Sequence, residues 1–310
     1  MKKTLLLATA ASLAALAPAA ADYPERPVSF IVPWPPGDLE DILTRLIADA
    51  FQERFGIAAA VVNKPGGGGG PFPGAIDVAM AAPDGYTIGS FVLDVPLIGH
   101  EIEIPELTPE KFDPVGIFLT YPFVIATKGD APYKTMEELA THAQDNPVVL
   151  GHFGIVASPT QVTFALSETL GFEWGGDAAF DALDCNTLAS GDADVINTTL
   201  QLVLPCLSEL TILASITDER IPLTPDTPTV GEIAPELALS TWNGLFVRKD
   251  TPQAVRDVIA EVAREVVMGA RAQAVAAETG ASVYWQDAEA SAERIERDKA
   301  TLARIQAIIE

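Results

Sequence analysis

Patterns typical of buried strands and of amphipathic helices alternate along this chain, and this alternation restricts the fold more than any other feature. Val28–Val32 has the apolar, β-branched run of a buried strand. In residues 39–55, apolar side chains recur at three-to-four-residue spacing, which predicts a helix. A second strand is predicted at residues 58–62, a short helix at 74–82 and a third strand at 86–91. Such repeated strand–helix–strand units predict a mainly parallel sheet flanked by helices.

The alternation resumes after Pro122. Further strands are predicted at residues 123–127, 148–151, 195–197 and 211–216, with helices at 135–144 and 160–170. From residue 251 onward the pattern is mostly that of amphipathic helices. We therefore predict an α/β protein of two lobes, with the chain crossing between them near residues 121–123 and 241–243. Residues 22–122 and 242–310 would form the first lobe, and residues 123–241 the second.

The N-terminus has the features of a secretory signal peptide. Met1-Lys2-Lys3 is positively charged, residues 5–16 are apolar or small, and Ala19-Ala20-Ala21 offers a cleavage site. We place cleavage after Ala21, which predicts export to the periplasm. The alternative is an apolar N-terminal helix of the fold. No later apolar stretch approaches the roughly 18 residues that a membrane span needs, so no membrane insertion is predicted.

Charge and cysteine content exclude several classes of function. The net charge of −24 repels nucleic acid, so no nucleic-acid partner is expected. Cys185 and Cys206 are the two cysteines, and in an oxidising compartment they are expected to form a disulfide; two unpaired thiols are the alternative. They do not form a CxxC pair, so redox or zinc chemistry is not indicated.

Common signatures of enzymes are absent from the sequence. His100, His142 and His152 form no HExxH motif, and there is no GxSxG elbow. The glycine run at residues 66–70 does not continue as GxGxxG, because Pro71-Phe72-Pro73 follows it, and no GK[ST] motif is present. We therefore predict that the protein is not an enzyme and has no cofactor and no metal site.

Three strand–loop–helix junctions are the candidate binding elements. They lie at residues 34–41, 151–160 and 197–199. A helix N-terminus presents unpaired N–H groups and a partial positive charge, so it can hold a carboxylate without a basic side chain. If two lobes face each other, the three loops converge on one cleft. The alternative at any single junction is an ordinary turn that binds nothing.

Short motifs in a fixed order connect the chain with a known family. They are Tyr23-Pro24, Pro27-Val28, Pro33-Trp34-Pro35-Pro36-Gly37 followed by Asp41-Ile42-Leu43, Asn63-Lys64-Pro65-Gly66, Ala82-Pro83-Asp84-Gly85-Tyr86-Thr87, Asp226-Thr227-Pro228-Thr229-Val230 and Trp242-Asn243-Gly244-Leu245. With these motifs the mature chain resembles the extracytoplasmic receptors of tripartite tricarboxylate transporters, also called the Bug family. The resemblance implies a type II periplasmic binding protein fold, whose two lobes close on a small, carboxylate-bearing solute. Backbone N–H groups, ordered water and loop hydroxyls would bind that solute.

The chain departs from the family pattern at the expected site. Asp38-Leu39-Glu40 stands where the family has glycines and a threonine, and Trp174-Gly175-Gly176 where members carry Tyr-Lys-Gly. Asp94 also follows the third predicted strand, near the expected cleft. Carboxylates there are unfavourable for a dianionic solute. Either Asp38 and Glu40 point to solvent, or the solute has a cationic or hydrogen-bond-donating end.

These observations predict a periplasmic receptor that captures a small organic solute for the membrane subunits of a transporter and acts as a monomer. The alternatives are a secreted hydrolase or isomerase that uses Asp38, Asp94 or His152, and a periplasmic sensor module. The predicted solute-binding residues are Trp34, Gly37, Asp38, Asp41, Asp94, Gly151, His152, Ser158, Trp174, Thr198, Thr199 and Asn243.

Overall fold

A computed structural model describes residues 23–66, 70–99, 104–107, 111–180 and 182–310. The predicted signal peptide, residues 1–21, lies outside the described residues. Within the described part of the chain, no helix is both long enough and apolar enough to cross a membrane.

The first sheet combines strands from both ends of the chain. Its strands are β1 (Val28–Val32), β2 (Ala59–Asn63), β3 (Thr87–Val92), β4 (Phe112–Thr120), β10 (Trp242–Arg248) and β11 (Ser282–Gln286), in the order β11-β4-β10-β3-β1-β2. β1 pairs in parallel with β2 and β3, whereas β10 pairs antiparallel with β3 and β4, and β11 antiparallel with β4.

The second sheet is built from the middle of the chain. Its strands are β5 (Phe123–Lys128), β6 (Val149–His152), β7 (Gly176–Ala179), β8 (Val195–Thr199) and β9 (Leu210–Ser215), in the order β7-β6-β8-β5-β9. β6 pairs in parallel with β7 and β8, and β5 pairs antiparallel with β8 and β9.

Helices cover both sheets. They are α1 (Leu39–Phe55), α2 (Phe72–Met80), α3 (Asp94–Ile98), α4 (Met136–Ala143), α5 (Ser158–Leu170), α6 (Cys185–Ser190), α7 (Leu200–Val203), α8 (Val230–Ile233), α9 (Gln253–Val267), α10 (Ala270–Thr279) and α11 (Ala288–Ile309). α1 follows the predicted pattern: Leu43, Ile47 and Phe51 are buried on one face. It ends at Gly56, whose φ of 67° is the left-handed conformation typical of a helix C-terminus.

The predicted two-lobed α/β fold is confirmed, but its sheets are mixed rather than mainly parallel. The antiparallel members arise where the chain passes between the sheets. β4 ends at Thr120, and after Tyr121 and Pro122 the chain enters β5 of the second sheet. It returns after α8 into β10, which runs antiparallel to both β3 and β4.

One apolar core extends through both sheets, since buried residues of both belong to a single packed cluster. The C-terminal helix α11 contributes to this continuity, because it contacts β4 of the first sheet and α5, which packs on the second.

In the second sheet region, Cys185 and Cys206 form a disulfide across a sequence separation of 21 residues, which confirms the predicted pairing.

Candidate functional site

The loop between β1 and α1 forms one part of the candidate site. Asp41, in the first turn of α1, accepts a hydrogen bond from the Gly37 N–H at 2.9 Å and from both Arg45 and the amide of Asn63. Asn63 also donates to the Trp34 carbonyl at 3.0 Å. Burial alone would raise the pKa of Asp41, but the bonds from Arg45, Gly37 and Asn63 outweigh it and lower the pKa below its ordinary value. Asp41 therefore fixes the shape of this loop.

Two further carboxyl groups stand at the start of α1. Asp38 is the N-cap residue, is half-buried, and makes no side-chain cap hydrogen bond. Burial and the nearby Asp41 raise the pKa of Asp38 to about 6. Glu40 is only 2% exposed, so it does not point to solvent as the first alternative had it. Burial, and then repulsion from Asp38, raise the pKa of Glu40 to about 8.

Tyr121 lies where the chain crosses from the first sheet to the second. Its hydroxyl donates to Glu40 at 2.9 Å. Burial, and then the charges of Glu40, Asp38 and Asp94, raise the pKa of Tyr121 well above its usual value. All three carboxyl groups are thus close enough to act electrostatically on one phenol. The sequence prediction did not include Tyr121, although its position at the predicted crossing was a usable signal.

Asp94 connects the two sheets. It is the first residue of α3, directly after β3 and Leu93, and is 5% exposed. Its carboxylate accepts a hydrogen bond from the Ser158 N–H at 3.0 Å and another from the Ser158 hydroxyl. Ser158 is the first residue of α5. Burial raises the pKa of Asp94 to about 6 against the opposing effect of the two bonds from Ser158.

His152 holds the loop between β6 and α5. The buried ring accepts the Gly154 N–H at Nδ1 (2.9 Å), and its Nε2 lies 2.9 Å from an Asp177 carboxylate oxygen. Because Nδ1 accepts a hydrogen bond, Nε2 carries the proton that is donated to Asp177. Phe153, in the same loop, packs edge-on against Phe123 of β5. The hydrogen bond to His152 and the packing of Phe153 on Phe123 therefore both hold this loop in place.

Other predicted site residues have partners inside the protein. Thr198 is buried and its hydroxyl donates to the Leu183 carbonyl at 2.6 Å. Asn243, also buried, donates to the Ser90 hydroxyl at 2.8 Å, and its Oδ1 lies 3.4 Å from the Tyr121 hydroxyl oxygen. Thr199 precedes α7, is half-buried, and makes no side-chain cap hydrogen bond.

Gly151 is explained by packing. A Cβ at this position on β6 would meet Leu183, Ala193 and Ile196 at 3.0, 3.1 and 3.2 Å respectively. Any larger residue would therefore press against the side chains beneath the sheet.

The structure places Trp174, a predicted site residue, away from the loop that His152 holds. β7 runs parallel to β6, with Gly176 aligned to Val149 at the start of β6 and Ala179 aligned to His152 at its end. Trp174 precedes β7 and therefore lies at the opposite end of these strands from His152. Its ring packs edge-on against Phe172, with centroids 5.1 Å apart.

Some of the buried polar atoms that have no hydrogen-bond partner among the described residues lie near the start of α5. They include Thr160 Oγ1, Gln161 Oε1 and Asn197 Oδ1. Asn197 is adjacent to this turn, because its amide nitrogen donates to the Pro159 carbonyl at 3.2 Å and to the Thr163 hydroxyl at 2.7 Å. Sequence reasoning placed Asn197 in a candidate loop but did not select it, Thr160 or Gln161 as a site residue.

Comparison with known proteins gives one consistent family. Residues 43–310 match the family model described as "Tripartite tricarboxylate transporter family receptor". A UPF0065 protein from Agrobacterium vitis is 29% identical over 315 aligned residues, which cover 98% of this chain and 89% of that protein. The crystal structure of a TctC solute binding protein from Polaromonas, solved with no ligand, is 26% identical with a TM-score of 0.73, covering 92% of this chain and 99% of that one.

Two solved structures that share the fold contain ligands. A protein from R. palustris with adipate has a TM-score of 0.79 at 20% identity, covering 93% of this chain and 98% of that chain. MatC from Rhodopseudomonas palustris with bound malate has a TM-score of 0.74 at 23% identity, covering 93% of this chain and 100% of that chain.

Proposed function

Since this chain belongs to the tripartite tricarboxylate transporter receptor family, we propose that it is a periplasmic receptor that captures a small, carboxylate-bearing organic solute and delivers it to the membrane subunits of such a transporter. The family consists of solute-binding receptors, so the chain is not an enzyme. The solute class is supported by the adipate and malate in the two R. palustris structures. Export is supported by the N-terminal sequence, in which Lys2 and Lys3 precede the apolar run of residues 5–16.

One observation carries the proposed site: the contact between Asp94 and Ser158 joins the two sheet regions at the start of α5. Through Tyr121, the start of α1 belongs to the same region, since Glu40 and Asp94 both act on that phenol. Two helix starts from different lobes therefore face one space. In α/β folds, ligands bind at such places.

In the proposed mechanism, residues 22–122 with 242–310 move as one lobe and residues 123–241 as the other. The proposal is supported by the sheets, because each sheet takes its strands from one of these two sets. An open form would admit the solute between the β1–α1 and β6–α5 loops, and closure would bury it. Trp34, Gly37, Asp38, Thr199 and the loop held by His152 would contact it.

Native mass spectrometry of the exported protein, purified without denaturation, tests this function. We expect the mass spectrum to show a small organic solute that co-purifies in an amount stoichiometric with the protein. Adding that solute to stripped protein should raise the melting temperature in proportion to the logarithm of its concentration, because it binds only the native state. The solute should be recovered chemically unchanged. A purified protein that carries no solute and whose melting temperature is not raised by any member of a carboxylate library contradicts the proposal.

A further inference from the structure

The start of α5 is already occupied by a carboxylate of the protein. Asp94 lies 3.0 Å from the Ser158 nitrogen and also accepts the Ser158 hydroxyl. Both residues are at least nine-tenths buried, with exposures of 5% and 1%. A carboxylate at a helix N-terminus is favoured by the helix dipole and by the unpaired N–H groups there. Asp94 therefore takes the position that a solute carboxylate would otherwise find attractive.

The remaining N–H groups of this turn are also accounted for. Pro159 has no N–H, and the N–H groups of Thr160 and Gln161 both donate to the Ala157 carbonyl at 3.0 Å. The Ser158 N–H is the one used by Asp94. A second carboxylate would thus meet no free backbone N–H group in residues 158–161, and it would lie beside the charge of Asp94.

The neighbouring side chains favour a different kind of group. Gln161 Oε1, Asn197 Oδ1 and Thr160 Oγ1 are buried and have no hydrogen-bond partner among the described residues. The two amide oxygens can only accept hydrogen bonds, and the Thr160 hydroxyl can also accept one. A buried acceptor without a donor is costly, so such a cluster favours a donor-rich partner.

We propose that Asp94 is a specificity-determining residue, which excludes a solute carboxylate from the start of α5 so that the solute presents a non-anionic, hydrogen-bond-donating group such as an ammonium to this wall. The proposal rests on the function proposed above and narrows its solute class. The solute would carry one carboxylate at most and a donor group at its other end, unlike adipate and malate.

Matched pairs of compounds test this specificity. Each pair consists of a linear dicarboxylate and the ω-amino acid with the same number of chain atoms, for instance adipate and 5-aminopentanoate. The series runs from about four to eight chain atoms. Affinities are measured by calorimetry for the wild type, Asp94→Ala, Asp94→Asn and the exposed control Asp145→Ala, which removes the same charge elsewhere. Melting temperatures show that each variant is folded.

We expect Asp94→Ala to bind at least one dicarboxylate of the series tenfold or more tighter than the wild type does. Asp94→Asn should show a smaller gain, because the amide keeps an oxygen for Ser158 but loses the charge. Asp145→Ala should show none. Asp94 variants with unchanged or weaker dicarboxylate affinity at every chain length overturn the proposal, and so does an equal gain in Asp145→Ala.

This result is separate from the test of the proposed function. A wild type that carries and binds a solute, while Asp94→Ala gains no dicarboxylate affinity, contradicts the role of Asp94 alone. A wild type that binds no solute at all contradicts the receptor function, whatever the Asp94 variants do.

Discussion

The hydroxyl of Tyr121 donates a hydrogen bond of 2.9 Å to the carboxyl group of Glu40, and both side chains are buried. Burial raises the pKa of Glu40 from 4.5 to about 8, with a further contribution from Asp38. Glu40 is therefore mostly an uncharged acid in the folded protein at neutral pH. Asp38, whose pKa is raised to about 6, is mostly ionised at that pH, so these two positions at the start of α1 carry one neutral and one charged carboxyl group.

Glu40 should make stability fall as the pH rises. The folded state holds its proton up to a pKa of about 8, whereas the unfolded state loses it near 4.5. The contribution is therefore fully present below pH 4.5 and is lost as the pH rises through 8. At about 1.4 kcal/mol per pKa unit, the loss is on the order of 5 kcal/mol.

The comparison with Glu40→Gln isolates this effect, because Gln keeps an acceptor for Tyr121 and does not ionise. Urea unfolding at pH 5, 7 and 9 should show the variant gaining stability relative to the wild type as the pH rises. The exposed Glu137→Gln serves as the control and should give no such trend. Wild type and Glu40→Gln with parallel pH profiles would contradict the prediction.

Arg294 should be among the most important buried charges for stability. From α11 it donates to the Tyr284 hydroxyl at 2.8 Å, the Ser240 hydroxyl at 2.7 Å and Asp298 at 3.3 Å. Asp298 also accepts the indole N–H of Trp242 at 2.7 Å, where the chain re-enters the first sheet. Arg294→Ala would leave Asp298 without its buried cation, with only the exposed Arg297 as a cation beside it among the described residues.

We expect Arg294→Ala to lower the free energy of unfolding by about 3–5 kcal/mol. Arg297→Ala is the matched control on the same helix. Arg297 also lies near Asp298, at 3.4 Å, but its side chain is 65% exposed. Its loss should therefore cost less than about 1 kcal/mol. Equal losses for the two variants, measured by urea unfolding, would show that burial does not set the contribution of Arg294.

The local elements of this fold could be predicted from sequence, but some strands could not. Val28–Val32 and Leu39–Phe55 have the predicted bounds because a continuous apolar run and an amphipathic repeat are strong local signals. β4 was not predicted; it contains Pro114 and Gly116, which interrupt a strand pattern, and its pairing with β10 shifts register. The direction of β10 could not be predicted either, because it depends on how the chain passes between the two sheets.

The candidate site was predicted only in outline. Helix starts after β1 and β6 can be recognised locally, since loop residues precede an amphipathic pattern. The contacts that define the site are not local: Glu40 and Tyr121 are 81 residues apart, and Asp94 and Ser158 are 64 apart. Trp174 was selected from a motif resemblance, whereas the direction of β7 decides which end of the sheet it occupies.

The disulfide should stabilise the second sheet region. Cys185 begins α6 and Cys206 lies in the 3₁₀ segment Leu204–Glu209, which follows α7. Closing a loop of 21 residues restricts the unfolded chain by roughly 3 kcal/mol. We expect Cys185→Ser with Cys206→Ser to lose about 2–4 kcal/mol in urea unfolding. Dithiothreitol should destabilise the wild type by a similar amount and leave the double variant unchanged; an equal effect on both would point to another cause.

His152 should affect solute binding by fixing the β6–α5 loop. Its Nδ1 accepts the Gly154 N–H at 2.9 Å, and its Nε2 pairs with Asp177, whose side chain is 44% exposed. Asn at position 152 can place an oxygen near the position of Nδ1, whereas Ala cannot. We therefore expect His152→Ala to weaken the affinity for the co-purified solute tenfold or more, mainly through faster dissociation. His152→Asn and Asp177→Ala, which each remove the bond between positions 152 and 177, should weaken it by less than fivefold.

Stopped-flow fluorescence measures the dissociation rate of the solute, and calorimetry measures its affinity. If His152→Ala binds as tightly as the wild type, the loop does not depend on this ring; if Asp177→Ala is the weakest binder, the bond to Asp177 is the more important of the two.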